Sequence, residues 1–281
     1  MLRWTRCLCT VGQVVHTLSD GPPVAGVTSL ADEVYVLRPK GHDQVEVYDV
    51  ITYRLLRCLT VPDARGFTDM TSCEHHRCVY IADHIAECIR RLDVQGAATW
   101  WPVNDRPSGL SVNAAHNLLV TCPDVRKIKE FSSHGDLLRE LTLPDDVINP
   151  WHAIQNPDGE FIVCHGGLDD AVHRVCKMTA DGGDILHSDG EQWGSDTGQY
   201  DMPRHLALDN LEFVFLADSG NRRVKLLSPT LGCIRQVVSR SKLKWHPERL
   251  YFDAQRRRLY VADREYKNDK YTAGCVVVFS V

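Results

Sequence analysis

The chain repeats one short pattern: four or five apolar residues that end in a polar one. The clearest copies are Val79-Tyr80-Ile81-Ala82-Asp83, Val214-Phe215-Leu216-Ala217-Asp218 and Leu259-Tyr260-Val261-Ala262-Asp263. Weaker copies are Val34-Tyr35-Val36-Leu37-Arg38, Leu118-Leu119-Val120-Thr121-Cys122 and Phe161-Ile162-Val163-Cys164-His165. Their last residues fall at 38, 83, 122, 165, 218 and 263, so successive copies are 45, 39, 43, 53 and 45 residues apart. Runs this short, with Gly, Asn, Asp and Pro between them, predict strands joined by tight turns, as at Asn156-Pro157-Asp158-Gly159 and His134-Gly135-Asp136. A strand repeat with a period of roughly 40 to 45 residues is the mark of a β-propeller.

Each repeat parses into four strands. In the fifth these are Leu206–Leu208, Val214–Asp218, Arg223–Leu227 and Cys233–Val238; in the third, Leu110–Val112, Leu118–Cys122, Ile128–Phe131 and Leu137–Leu141. The second reads as Met70-Thr71, Val79–Asp83, Ile89–Leu92 and Thr99–Trp101. The sixth repeat stops at its third strand, Val276–Phe279, while an orphan strand, Val11–Leu18, precedes the first. Pairing the two completes the last blade and removes two exposed sheet edges. The expectation is one all-β domain over 1–281, a six-bladed propeller of four-stranded antiparallel blades closed by the N-terminal strand. Blade boundaries fall near 62, 104, 145, 196 and 241, giving blades of about 20–61, 62–103, 104–144, 145–195, 196–240, and 241–281 with 11–18.

Composition narrows the class. A hydrophobic share of 43% supplies a core, and a net charge of −5 argues against a nonspecific polyanion binder. The eleven cysteines form no CxxC pair. Cys58, Cys88, Cys122, Cys164, Cys176, Cys233 and Cys275 sit in apolar runs and read as small buried hydrophobes. Residues Met1–Val15 lack a long apolar run and no segment reaches the length of a membrane span, so the expectation is a monomeric cytoplasmic protein. Cys73-Glu74-His75-His76-Arg77-Cys78 has zinc-ligand residue types, but all lie in one hairpin, and the segment reads as an exposed turn. Gly-x-Ser-x-Gly, P-loop and dinucleotide-binding motifs are missing from the sequence.

The segment Pro203-Arg204-His205-Leu206-Ala207-Leu208-Asp209, with Val214-Phe215-Leu216-Ala217-Asp218-Ser219-Gly220-Asn221-Arg222-Arg223-Val224, resembles an NHL repeat. Pro247-Glu248-Arg249-Leu250 with Tyr260–Asp263 is a weaker copy, and Pro107-Ser108-Gly109-Leu110 and Pro150-Trp151-His152-Ala153 keep its opening. Propellers of this kind include the C-terminal domain of tripartite-motif ubiquitin ligases and the peptide-amidating lyases. Strictosidine-synthase-like and paraoxonase-like hydrolases share the six-bladed shape.

Aligning the start of the inner strands gives Gly26, Asp69, Gly109, His152, His205 and Arg249; aligning the ends of the second strands gives Arg38, Asp83, Cys122, His165, Asp218 and Asp263. Both sets are expected beside the central channel. Arg65, Arg106, Trp151, His152, Arg204, His205 and Arg249 are the candidate binding residues, since arginine beside aromatic residues suits a protein interface or a single-stranded RNA platform. The main expectation is a non-catalytic interaction module, with no cofactor, that grips a protein or peptide on the channel-mouth face. Its likeness to tripartite-motif proteins implies substrate recognition in ubiquitin ligation; RNA is a third choice, and no membrane partner is expected. The alternative is a metal-dependent enzyme resembling the amidating lyases. Asp69, His152 and His205 are then the candidate metal residues, with Arg249 or Arg204 for a substrate carboxylate. Against it, two histidines do not close a ligand set and Arg249 would repel a cation.

Overall fold

The computed structural model describes residues 12–39, 44–167, 172–190, 192–268 and 270–281. Strand β1 spans Gln13–Gly21. The first blade follows as β2 (Gly26–Leu30), β3 (Glu33–Arg38), β4 (Gln44–Asp49) and β5 (Leu55–Thr60). The second holds β6 (Phe67–Cys73), β7 (Cys78–Asp83), β8 (Cys88–Asp93) and β9 (Ala98–Pro102), and the third β10 (Gly109–Val112), β11 (Leu118–Cys122), β12 (Lys127–Phe131) and β13 (Leu137–Thr142). The fourth is β14 (Pro150–Gln155), β15 (Phe161–His165), β16 (Arg174–Met178) and β17 (Ile185–Asp189). The fifth is β18 (Pro203–Leu208), β19 (Val214–Asp218), β20 (Arg223–Leu227) and β21 (Cys233–Val238). The last has β22 (His246–Asp253), β23 (Arg258–Lys267) and β24 (Lys270–Ser280).

Each blade is a four-stranded antiparallel sheet in chain order, and the sixth runs β1-β24-β23-β22. This is the six-bladed propeller expected from the repeat, closed as expected by the N-terminal strand. Gln13 faces Ser280 and Leu18 faces Val276 across that seam. Val11, placed in the orphan strand by sequence, lies outside the described residues. Two three-residue 3₁₀ turns, Pro123–Val125 and Arg240–Lys242, are the only helical elements among the described residues. No helix there is long and apolar enough to cross a membrane.

The apolar residues gather into six clusters, one between each pair of neighbouring blades. Val27, Val34, Tyr260 and Val276 join blade six to blade one, and Leu18 of β1 lies among them. Val79, Ile81, Tyr35 and Val45 do the same between blades one and two. Second strands are therefore buried on both faces, which is why β7, β11, β15 and β19 read as unbroken apolar runs rather than as alternation.

In four of the six runs the polar end ties a blade to its own entry loop. Asp83 accepts hydrogen bonds from the backbone N–H of Arg65 (3.1 Å) and Gly66 (2.9 Å), just ahead of β6. Asp218 accepts from Asp201 N–H (2.7 Å), and Asp263 from Lys244 (2.7 Å) and Trp245 (3.0 Å). In blade one Arg38 does the same with opposite polarity, donating to the Pro22 carbonyl at 2.5 Å and to Glu46 at 2.6 Å. These residues were expected beside the channel; Asp83, Asp218 and Asp263 are instead wholly buried inside their blades. Cys58 is exposed and Cys233 only partly buried, contrary to expectation, because both sit on outer strands, while the other five named cysteines are buried. Arg256 is paired with Asp32 and Asp253.

Because Leu18 is 1% exposed within the seam cluster, Leu18→Ala is expected to cost about 2–5 kcal/mol, the usual range for a buried leucine truncation. Urea unfolding followed by fluorescence measures this; a loss under 1 kcal/mol would mean that β1 does not bear on ring closure.

Candidate functional site

Six inner strands converge on the axis, so one residue per strand sets what the channel contains. In four blades a β-bulge just after the strand begins turns that residue inward: Phe67/Asp69, Pro150/His152, Pro203/His205 and Pro247/Arg249. The other two blades supply Gly26 and Gly109. A Cβ at Gly109 would lie 2.5 Å from the Trp151 carbonyl and 2.8 Å from the His152 ring, and one at Gly26 would lie 2.6 Å from Met70 Cβ. The glycines thus leave room for the inner strand of the next blade, at His152 and at Met70, the residue after Asp69.

Asp69, His152, His205 and Arg249 meet on the axis as the alignment expected. Asp69 Oδ2 accepts from Leu110 N–H (2.8 Å) and from His205 Nε2 (3.3 Å), and Asp69 Oδ1 pairs with Arg249 Nε at 3.1 Å. His152 Nε2 donates to the Leu110 carbonyl at 2.9 Å, and the two imidazoles stack with centroids 3.7 Å apart. Arg249 also donates to the carbonyls of Thr68 (2.6 Å) and Glu248 (2.7 Å). Burial drives His152 down to about 3 and pushes His205 down as well, so both rings are neutral. Burial alone would raise Asp69, but its contacts with His205 and then Arg249 outweigh that and hold it at about 2.

One donor atom from each of Asp69, His152 and His205 lies within 4.8 Å of the others, the spacing of a metal triad. The hydrogen bonding does not fit a metal. Leu206 N–H points at His152 Nδ1 (3.4 Å) and Leu250 N–H at His205 Nδ1 (3.3 Å), so each Nδ1 offers its lone pair to the backbone. Each Nε2 therefore carries the ring proton, and its donation to Leu110 or Asp69 follows. A ligating histidine needs the reverse, a free Nε2 lone pair and an acceptor at Nδ1–H. The cluster is a hydrogen-bonded plug across the channel. Below it lies a cavity of about 240 Å³ lined by Thr28, Ser72, Ser111, Gln155, Tyr251 and both histidines.

The plug residues sit one layer beneath the channel mouth, which is formed by the residues preceding them. Trp151, Arg204 and Glu248 come from those positions in blades four, five and six. The hairpin of β23 and β24 is longer than the others and brings Arg264 and Tyr271 over the same opening. Arg204 lies over the Trp151 ring at 3.8 Å and Arg264 over the Tyr271 ring at 3.5 Å. Trp151 Nε1 is fixed by donation to the Gly166 carbonyl (2.7 Å). Glu248 is buried and accepts from Ser219 Oγ (2.6 Å) and from the Tyr271 hydroxyl (2.9 Å). Burial raises its carboxyl, but Arg204, Arg264 and Arg249 outweigh this and keep it below the ordinary range. Tyr271 is pushed up to about 12, by burial and then by Glu248, so its hydroxyl keeps its proton.

Trp151, His152, Arg204, His205 and Arg249 are thus brought together, whereas Arg65 and Arg106 are not. Arg65 lines an outer groove with Ile85 and Trp100, and Arg106 pairs loosely with Glu87 (3.8 Å) and Asp124 (3.7 Å) in solvent. Both loops reach the same face, but at its rim. Glu248, Arg264 and Tyr271 went unread in the sequence. Glu248 was reachable by moving the strand alignment back one residue; the two hairpin residues were not, since no repeat position corresponds to them. Of His75 and His76, read as an exposed turn, the first stacks on His116 of the next blade (4.2 Å) and the second lies edge-on to it (6.2 Å).

No protein-family model and no curated protein matches the sequence. Solved structures do match its shape. The PQQ-bound aldose sugar dehydrogenase of Streptomyces coelicolor aligns with a TM-score of 0.69 at 14% identity, covering 95% of this chain and 98% of that one. Virginiamycin B lyase from Staphylococcus aureus aligns at 0.61 and 12%, covering 96% and 99%. The β-propeller domain of Cps50 (Swd1) from Myceliophteria thermophila gives 0.62 and 12%, with 96% and 99% covered. At such identities the likeness establishes the fold, a six-bladed propeller, and not a substrate. The lyase and the dehydrogenase nevertheless overturn the expectation of a non-catalytic interaction module: propellers of this shape include enzymes.

Two outcomes test the plug. Protein purified without a histidine tag, incubated with zinc and desalted, is expected to retain no metal that His152→Ala/His205→Ala loses; one equivalent lost in the double variant would overturn the plug. Both imidazoles are neutral when folded, whereas the unfolded chain binds protons below about 6.5. Stability is therefore expected to fall as pH drops below about 6.5, by up to about 1.4 kcal/mol per unit from His152 down to about 3, with a loss of the same sign from His205. His152→Asn should flatten that slope in urea titrations at pH 7, 6 and 5; an unchanged slope would count against a neutral buried ring.

Proposed function

We propose that this chain is an enzyme whose active centre is the channel mouth, with Tyr271 as the residue that exchanges a proton with substrate. The observation that carries it is the buried Glu248 carboxylate, which accepts a hydrogen bond from the Tyr271 hydroxyl at 2.9 Å amid Arg204, Arg249 and Arg264. Ionisable groups so arranged in a concave opening are the usual makings of acid–base catalysis. Glu248 orients Tyr271 and holds its hydroxyl proton in place, while the guanidinium groups offset negative charge that develops on a substrate. An elimination or a hydrolysis needs those two services: a proton delivered to a departing atom, and an anion stabilised.

The enzymes among the structural neighbours support a catalytic use of this architecture. The hydrogen bonds of the plug favour a reaction that does not draw on a metal at Asp69, His152 and His205, so the likeness to the amidating lyases extends to shape and channel histidines only. Every nitrogen of Arg249 is engaged by Asp69 or a backbone carbonyl, which leaves Arg204 as the arginine from the sequence reading that we assign to a substrate. The repeat itself is of the NHL type in this reading, on the strength of Pro203–Val224.

The test is a panel of lyase and hydrolase substrates that carry an anionic group. Tyr271→Phe is expected to lower kcat about 10²- to 10⁴-fold with a smaller change in KM, the usual worth of a positioned proton donor. Turnover unaffected by Tyr271→Phe, or no turnover above that variant's background anywhere in the panel, would sink the reading.

A further inference from the structure

Arginine side chains that are buried in proteins are hydrogen-bonded, because a desolvated guanidinium without acceptors costs several kcal/mol. Two arginines at the channel mouth break that rule. Arg264 is 7% exposed, and its Nε is buried with no hydrogen-bond partner among the described residues; Arg204 Nε is buried and equally unpartnered. Their planes are held rather than free, one against Trp151 and the other against Tyr271. The Glu248 carboxylate between them is already engaged by Ser219 and Tyr271, and Asp69 by Arg249. Two guanidinium groups thus share the mouth with one carboxylate, while Arg249 and Asp69 pair in the layer beneath, which leaves an excess of one positive charge in a site with little solvent.

We propose that Arg204 and Arg264 form a subsite for an oxyanion, a carboxylate or phosphate group of a small molecule. Each guanidinium presents planar N–H donors suited to two oxygens, and the aromatic ring behind it fixes the orientation in advance. Such preorganisation lowers the entropy lost on binding. Each nitrogen of Arg249 is already engaged, by Asp69 or by the carbonyls of Thr68 and Glu248, so this arginine is assigned a supply of charge and not a contact. This inference rests on the proposed function for its meaning, since it names the part of the substrate that the mouth would hold, but it is measured without turnover.

The experiment titrates the full chain with inorganic phosphate in one arm and acetate in the other. Ionic strength is matched with potassium chloride, and binding is followed by thermal shift and calorimetry. Stabilisation by at least one of the two, absent with chloride, is expected; the arm that responds identifies the group. Arg204→Met and Arg264→Met, which keep an apolar stem on each ring, should each weaken binding at least 10-fold. Arg204 is the more exposed and its variant tests the subsite even if Arg264→Met does not fold. Arg106→Met on the rim should bind as the parent does. Binding that is equal in parent and Arg204→Met, or no binding beyond chloride, overturns the subsite. Tyr271→Phe separates the two claims: anion binding kept without Tyr271-dependent turnover leaves the subsite standing and removes the enzyme, and turnover without anion binding does the opposite.

Discussion

Closing the ring is the condition on which everything else in this molecule depends. Each sheet has two apolar faces, and neither can be buried until a neighbouring blade lies on each side. The seam between β1 and β24 lets the last gap close, so the cluster around Leu18, Val27 and Tyr260 exists only because both ends of the chain meet in one sheet. With the ring closed, six inner strands are forced to a common axis. Their side chains then compete for a narrow space that no single blade defines.

That competition explains the channel. Six bulky residues could not share it, and the chain places Gly26 and Gly109 beside the blades that bring Asp69 and His152. Four polar side chains then find one another from blades two, four, five and six, as in the Asp69–His205 contact between residues 136 positions apart. The buried charges are balanced there: Asp69 meets Arg249, and the histidines stay neutral because desolvation makes their charged forms costly. One layer above, the balance stops short. Glu248 is satisfied, whereas Arg204 and Arg264 are positioned by rings and left without acceptors. At the mouth it is the Nε atoms of these two arginines that are buried without a partner, and the proposed subsite rests on them.

Much of this was legible in the residues. The recurring apolar phrase with a period near 40 to 45 showed the blades, because a strand buried on both faces leaves an unbroken hydrophobic run. The inner-strand alignment picked out Asp69, His152, His205 and Arg249 as neighbours on the axis, since propeller symmetry turns a repeat position into a location. The terminal phrase residues were placed less well: Asp83, Asp218 and Asp263 share a position, but its job is to tie down a loop, and symmetry says where a residue lies and not which way its polar atoms turn.

The amino-acid pattern alone determined blade number, the closing strand and the membership of the axial cluster, because these follow from periodicity. Only the tertiary structure decided what that cluster is. Three metal-type ligands at metal-like spacing became a plug once the N–H groups of Leu206 and Leu250 were seen to face Nδ1, a matter of a few ångströms of backbone direction. It also decided that the mouth, rather than the axis, carries unpaired charge. Arg264 and Tyr271 reach it on a hairpin longer than the repeat requires, and residues outside a period leave no trace in a periodic pattern.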